Sequence, residues 1–534
     1  MALTIEILVL LLGVAAAVAA VADRLKIPQA ILLVLAGVML ALIPGLPPIE
    51  LAPEVVLLLV LPPVIYSSAV AMNWREFRFN LRPISLLAFG GVIFTTLAVA
   101  VATRWLLGFS WPIGFLVGAI VSPPDAVAPL AIARRMQLPR RILVILEGEG
   151  LANDAAALIL FRFAVGAVSA GAFSFGQAAG MFILIIVGEI LWGLGVGWFM
   201  LRLRRWIRDP RIEITLSILT PFLSYWPPEH LGGSGVLATL TVGLYISWNG
   251  FRLISAQTRL QGIFFWDFFI YLVEGIVFLV TGLQARTLIN RIGAYAISDL
   301  IFSALVVSVV VVVARFIWIY PATYLPRWLF PSIRRKDPSP PWRWPFVLAF
   351  TGVRGIVSLA AALAIPFATT SGQPFPDRDL ILFLTFSVIL VTLVGQGLLL
   401  PLVIGALGLA DVGRSERRDE RAAECAVRRE AIGAALGRLD LLAGERGLSP
   451  SLVEPLRSQL RDRLLHVERS SDGNATHKAF SALHNEIERL LIAAERERAN
   501  DLFCDNRLTD EARRRIEREL DLRETYLNSQ HGQS

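Results

Sequence analysis

The sequence predicts an all-α membrane protein of thirteen membrane-crossing helices, followed by a helical domain outside the bilayer. Three observations predict it. Of the 534 residues, 55% are hydrophobic and only 17% charged, against about 25% charged in a soluble domain, and mean hydropathy is +0.63. Apolar runs of the length that crosses a bilayer, roughly 20 residues, recur from the start of the chain to about residue 408. Basic and basic-poor connections alternate between those runs. A soluble enzyme, a disulfide scaffold and a disordered chain are excluded at this level.

The runs fall at 4–22, 28–46, 52–72, 83–106, 109–134, 141–168, 176–204, 211–226, 232–248, 262–284, 295–325, 345–367 and 378–408. The first, in MALTIEILVLLLGVAAAVAAVADRLK, lacks the basic region that precedes the core of a cleaved signal peptide, so it is expected to remain as a span. The eighth and ninth are short and separated by SYWPPEHLGGS. Connections after spans 3, 5, 7 and 11 carry Arg75/Arg78/Arg82, Arg134/Arg135/Arg140/Arg141, Arg202/Arg204/Arg205/Arg208 and Arg334/Arg335/Lys336. Those after spans 2, 6, 8 and 12 (GLPPIE, SAGAFSFG, SYWPPEHLGGS, TTSGQPFPDRD) hold one arginine in all. The positive-inside rule then puts the N-terminus outside and the C-terminus in the cytoplasm. It also explains the net charge of +7 without nucleic acid.

From residue 411 to 534 the composition turns to Arg, Glu, Ala and Leu, with apolar residues at helical spacing in AFSALHNEIERLLIAAERERA and TDEARRRIERELDLRE. This is expected to be a cytoplasmic helical domain that regulates or assembles the protein. The Asn474-Ala-Thr sequon lies within it and is expected to have no acceptor role there. Cys425 and Cys504 both fall in this tail and the histidines are scattered, so no thiolate or histidine metal site and no cofactor is expected.

Ionisable residues inside apolar spans are costly and mark ion paths. Span 5 carries Asp125, and span 6 carries Glu149, Asp154 and Arg162. In FLVGAIVSPPDAVAPLAIARR, Pro123 and Pro124 stand side by side, and two residues without a helical N–H should break the span beside Asp125. Irregular backbone at membrane depth must be buried or line a wet cavity. The expected result is two half-helices, carbonyls exposed at Ser122–Pro124 and a carboxylate at the break, an arrangement with which secondary transporters hold cations. In span 6, Glu149 and Asn153 share a helical face while Asp154 lies roughly 140° round from Glu149. Asp154 is therefore expected to face the break. Glu149 is expected to form a structural ion pair with Arg315, from the otherwise apolar span 11. Gly352 and Gly355 flank Arg354 in span 12 and offer a second opening. Spans 5 and 12 hold matching places in two six-span halves, 1–6 and 8–13, which suggests paired repeats. Glu189, Asp267, Glu274 and Arg162 read as ordinary acids and bases near span ends.

VSPPDAVAPLAI followed by LEGEGLANDAAALILF resembles the sodium/proton exchangers of the cation–proton antiporter superfamily, in its bacterial NhaP-like electroneutral branch. LPPVIYSSA, FWDFFIYLVEGIVFLVTGLQ, ARFIWIYP and FTGVRGIVSLAAALAIP match further family segments, in order, over about residues 1–410. The resemblance implies a homodimer in the plasma membrane, thirteen spans in two inverted repeats, and crossed unwound helices at spans 5 and 12. It implies exchange of Na+ for H+. It places the ion-binding aspartate at Asp154, its asparagine at Asn153, the broken-helix aspartate at Asp125 and the structural pair at Glu149 and Arg315. Gly150, Pro124 and Ser67 stand where relatives carry Ser, Thr and Glu. Cation and proton are expected to compete for Asp154, helped by Asp125 and by carbonyls near Ser122 and Pro124. Potassium/proton exchange is the close alternative; a gated cation channel or a membrane sensor is the alternative of another class. A sensor should carry a recognisable catalytic or DNA-binding tail, and this one shows neither a P-loop nor a kinase signature.

Overall fold

The computed structural model describes the chain except residues 1, 45–51, 171–174, 208, 251–252, 292–295, 371, 472–474, 506 and 532–534. Arg208, Asn474 of the sequon and most of the GLPPIE and SAGAFSFG connections therefore lie outside the described residues. Among the described residues the secondary structure is helical, with one isolated β-bridge, Ala368 to Pro374. Two compact units are present, Met1–Arg414 and Ser415–Ser534.

In the first unit a helix or interrupted helix lies over each of the thirteen apolar runs. Among the described residues, six are long and apolar enough to cross a membrane: Leu81–Leu106, Arg140–Ser169, Ala179–Arg204, Ala256–Arg291, Ile297–Leu329 and Arg378–Ala406. Gln29–Ala41, Val55–Ala71 and Trp111–Val121 are shorter apolar helices. The outer surface is apolar in stripes. Leu305, Val309, Val313 and Ile317 follow one another at four-residue spacing on one helix, and all are exposed. Such a stripe suits a face covered by lipid or by another protein. Exposed Trp105, Trp206 and Trp328 sit near helix ends, where indoles meet a membrane interface.

Helices in lipid gain little from burial and pack where small residues let backbones approach. Gly37 and Gly282 face each other so closely that a Cβ on Gly282 would lie 2.8 Å from Gly37 Cα. Gly114 and Gly118, four apart in Trp111–Val121, lie against Ala100 and Thr96 of the neighbouring helix; a Cβ on Gly118 would stand 2.9 Å from Thr96 Cα. These contacts seat the half-helix that leads into the site.

The connection read at 224–234 is corrected. The helix Pro210–His230 continues through Pro227 and Pro228. Proline normally costs a helical hydrogen bond, but the Leu223 carbonyl, four residues before Pro227, accepts the Trp192 indole N–H at 3.2 Å instead. Only the short stretch before Val236 then remains as a turn.

At the basic end of the unit, Asp337 forms ion pairs with Arg82, Arg141 and Arg327, the last two at 2.8 and 2.7 Å. Burial pushes its carboxyl up, but the Arg141 hydrogen bond and the charges of Arg141, Arg327 and Arg82 outweigh this and hold it below the usual value.

The second unit contains the helices Pro450–Ser471, Ala475–Cys504 and Asp510–His531 and most of Leu409–Arg446. Ile492, Leu520 and Leu527 form its core. Arg496 pairs with Asp521 and Glu524, each at 2.9 Å.

Candidate functional site

Both segments expected to open do so. Span 5 divides into Trp111–Val121 and Val127–Arg135, and span 12 into Arg343–Phe350 and Ile356–Leu363. The open stretches touch: the Asp125 N–H donates to the Val353 carbonyl at 2.7 Å. Asp125 Oδ1 accepts the Val127 N–H at 2.9 Å, one of the donors left free at the start of the half-helix that follows. Its other oxygen occupies the space a Cβ on Gly355 would need. Glycine at 355 is thus what lets the second open stretch lie against the carboxylate of the first.

An interrupted helix leaves carbonyls without donors and a partial negative charge at the end of its first half. An arginine meets each such end. Arg354, fully buried, donates from Nε to the Val121 carbonyl at 2.9 Å and from Nη2 to the Ser122 carbonyl at 3.3 Å. It also bonds the Gly352 carbonyl, and its own N–H donates to Thr392 Oγ1 at 3.0 Å. Arg315 donates to the Leu348 carbonyl from Nε at 3.2 Å and Nη2 at 3.0 Å. The same guanidinium grips Glu149 with both terminal nitrogens, Nη1 and Nη2, at 2.5 and 2.9 Å. Arg354 was read from the sequence only as part of an opening. Its bonds to carbonyls of another span have no side-chain pattern that could announce them.

The long helix Arg140–Ala170 carries Asn153, which reaches the first break, and Asp154 next to it in sequence. Asn153 Nδ2 donates to the Pro124 carbonyl at 2.6 Å, while its buried Oδ1 has no partner among the described residues. Asp154 is partly buried, accepts no hydrogen bond among the described residues, and lies within range of the Asp125 charge. The Ser122 and Pro124 carbonyls each already accept one bond and keep a second lone pair. Ser122 Oγ donates to the Ala119 carbonyl at 3.2 Å. A Cβ on Gly150 would lie 2.5 Å from Ala126 Cβ, so the serine of relatives has no room here without movement. Behind the break, Thr95, Ser122, Pro124, Arg315 and Trp318 line a small cavity.

The other sequence-flagged charges divide. Glu189 is structural: its carboxylate accepts N–H groups of Ser234 (2.6 Å), Gly235 (3.1 Å) and Leu237 (3.0 Å) at the start of Val236–Gly250. Arg162 pairs with Glu229. Asp267 is exposed. Glu274 is partly buried and lies within range of the Asp125 charge.

The site is thus a pair of mutually repelling carboxylates beside spare carbonyl and amide oxygens, inside an apolar helical body. Oxygen ligands of this kind suit a hard cation, and a buried carboxylate takes up a proton more readily than one in water. Comparison with known proteins agrees. The chain is 36% identical to an uncharacterised Na+/H+ exchanger of Mycobacterium tuberculosis, over 94% of this chain and 92% of the relative. It is 34% identical to the sodium, potassium, lithium and rubidium/H+ antiporter of Bacillus subtilis, over 71% of this chain and 58% of that one. Its fold is similar to that of the sodium proton antiporter MjNhaP1 of Methanocaldococcus jannaschii, with TM-score 0.62 at 20% identity, covering 76% of this chain and 99% of that one. The profile of the transmembrane sodium/hydrogen exchanger family matches residues 8–405, and the chain belongs to that family of cation/proton antiporters.

Proposed function

We propose that the protein exchanges Na+ or Li+ for H+, one for one, by competition at Asp154. The observation that carries this is the contrast in partners: Asp154 accepts no hydrogen bond among the described residues and lies within range of the Asp125 charge, while Glu149 on the same helix is fully paired. In this reading the cation is held by Asp154 and Asp125, with oxygens of Asn153, Ser122 and Pro124 completing its shell. Protonation releases it. Because position 153 is an amide rather than a further carboxylate, one charge enters as one leaves, and the cycle is electroneutral. The ion-binding half then rocks so that the site opens to each side in turn. Glu149 and Arg315 are structural, and no cofactor takes part. Crossed spans 5 and 12 belong to a thirteen-span protomer of two inverted repeats, which works as a homodimer in the bacterial plasma membrane. Its N-terminus is outside, and residues 411–534 form a cytoplasmic regulatory or assembly domain.

The Bacillus relatives named for sodium, potassium, lithium and rubidium support a second reading, in which K+ is also carried. Proteoliposomes containing the full chain test both. Na+, Li+ and K+ are added against an imposed proton gradient and a pH dye is followed. Dequenching by Na+ and Li+ without change in membrane potential is expected. Dequenching by K+ as well would replace the first reading with the second, and a current without proton counterflow would indicate a channel.

A further inference from the structure

We propose that Glu274 is a third cation-binding carboxylate of the ion pathway, holding the entering ion beside Asp125; this rests on the antiport reading above. Glu274 lies on the helix Ala256–Arg291. Phe278, one turn further along the same face, is 2% exposed, so this face looks into the protein rather than at lipid. Val273 and Val277, both to one side of Glu274 around the helix with Phe278 on the other, pack with Ile356, Ala360 and Val56. Ile356 follows Gly355, and Gly355 is the residue whose missing Cβ makes room for the Asp125 carboxylate. The packing therefore carries Glu274 to the amino-terminal end of the half-helix Ile356–Leu363, beside the crossing, where its charge reaches Asp125.

Three other acids inside the helical body have partners that explain them. Glu149 holds Arg315, Glu189 caps a helix, and Glu229 pairs with Arg162. Glu274 has no hydrogen bond or ion pair among the described residues. A carboxylate at membrane depth without a structural partner is retained for an ion. Here it adds a third negative charge to those an entering cation meets at Asp125 and Asp154, which raises the local cation concentration.

The test uses the full chain in proteoliposomes, comparing wild type, Glu274→Gln and Glu274→Asp by the initial rate of Na+-driven proton efflux against Na+ concentration. It is run at alkaline pH, where protons compete least. Glu274→Gln keeps the shape and removes the charge. It should raise the KM for Na+ about tenfold, with the maximal rate within about twofold of wild type. Glu274→Asp should recover most of that loss. An unchanged KM in Glu274→Gln, or a lower maximal rate at unchanged KM in both variants, would overturn the proposal and make Glu274 structural. Absence of exchange in the wild type would instead overturn the antiport reading, and this one with it.

Discussion

Glu189 and Asp154 are both acids on long apolar helices, yet their surroundings differ completely. Glu189 is 3% exposed and accepts three backbone N–H groups and a serine hydroxyl. Asp154 has a partly buried carboxylate, no hydrogen bond among the described residues, and a second carboxylate for company. A buried charge is tolerated when protein groups replace its water. Glu189 meets that condition within its own chain; in the proposed exchange, Asp154 meets it only when a cation or proton arrives. An acid's function inside a membrane is therefore read from what it lacks rather than from its depth.

Variants can break or sharpen this contrast. The largest effect is expected at Asp154. Asp154→Asn should fold as wild type by size-exclusion chromatography yet show no Na+-driven proton flux in vesicles; wild-type flux would dissolve the distinction. On the partnered side, Glu149→Gln strands the buried Arg315 guanidinium and should cost about 3–5 kcal/mol, read as a fall in Tm of the solubilised protein. Gly355→Ala pushes a methyl into the Asp125 carboxylate. It should cost about 1–3 kcal/mol in overpacking, with exchange falling further than that stability loss explains. Glu189→Gln weakens the cap by about 1–2 kcal/mol and should lower Tm while leaving the KM for Na+ unchanged. A shifted KM there would mean that partnered acids also take part.

The smallest effect lies outside the bilayer. The Asp337 carboxyl titrates below its usual value in the folded protein, so its contribution is present above the unfolded-state value and is lost as pH falls through the folded one. Asp337→Asn should therefore lower Tm slightly at neutral pH, by about 1 kcal/mol of stability. The difference from wild type should vanish in acid. A difference that persists in acid would assign the effect to packing rather than charge.

Much of the site could be read from residues alone because its chemistry depends on side-chain type. Paired prolines at 123 and 124 dictate a break, and the helical spacing of Glu149 and Asp154 sends them to different neighbours. The Arg315 pair followed because a lone arginine in VVVVVARF needs an acid. What could not be read was mediated by backbone. Arg354 on the Val121 and Ser122 carbonyls, Glu189 on the N–H groups of residues 234–237, and the bond from Asp125 to Val353 all join distant segments through groups every residue carries. Pro227 and Pro228 misled for the same reason: the Trp192 indole supplies a donor that local sequence cannot reveal.

The most direct test measures protons released when Na+ is added to the purified, detergent-solubilised protein in weakly buffered solution. Competition at one carboxylate predicts release that saturates with Na+ in the wild type and in Glu189→Gln, and none in Asp154→Asn. Undiminished release from Asp154→Asn would contradict the assignment of ion exchange to that residue.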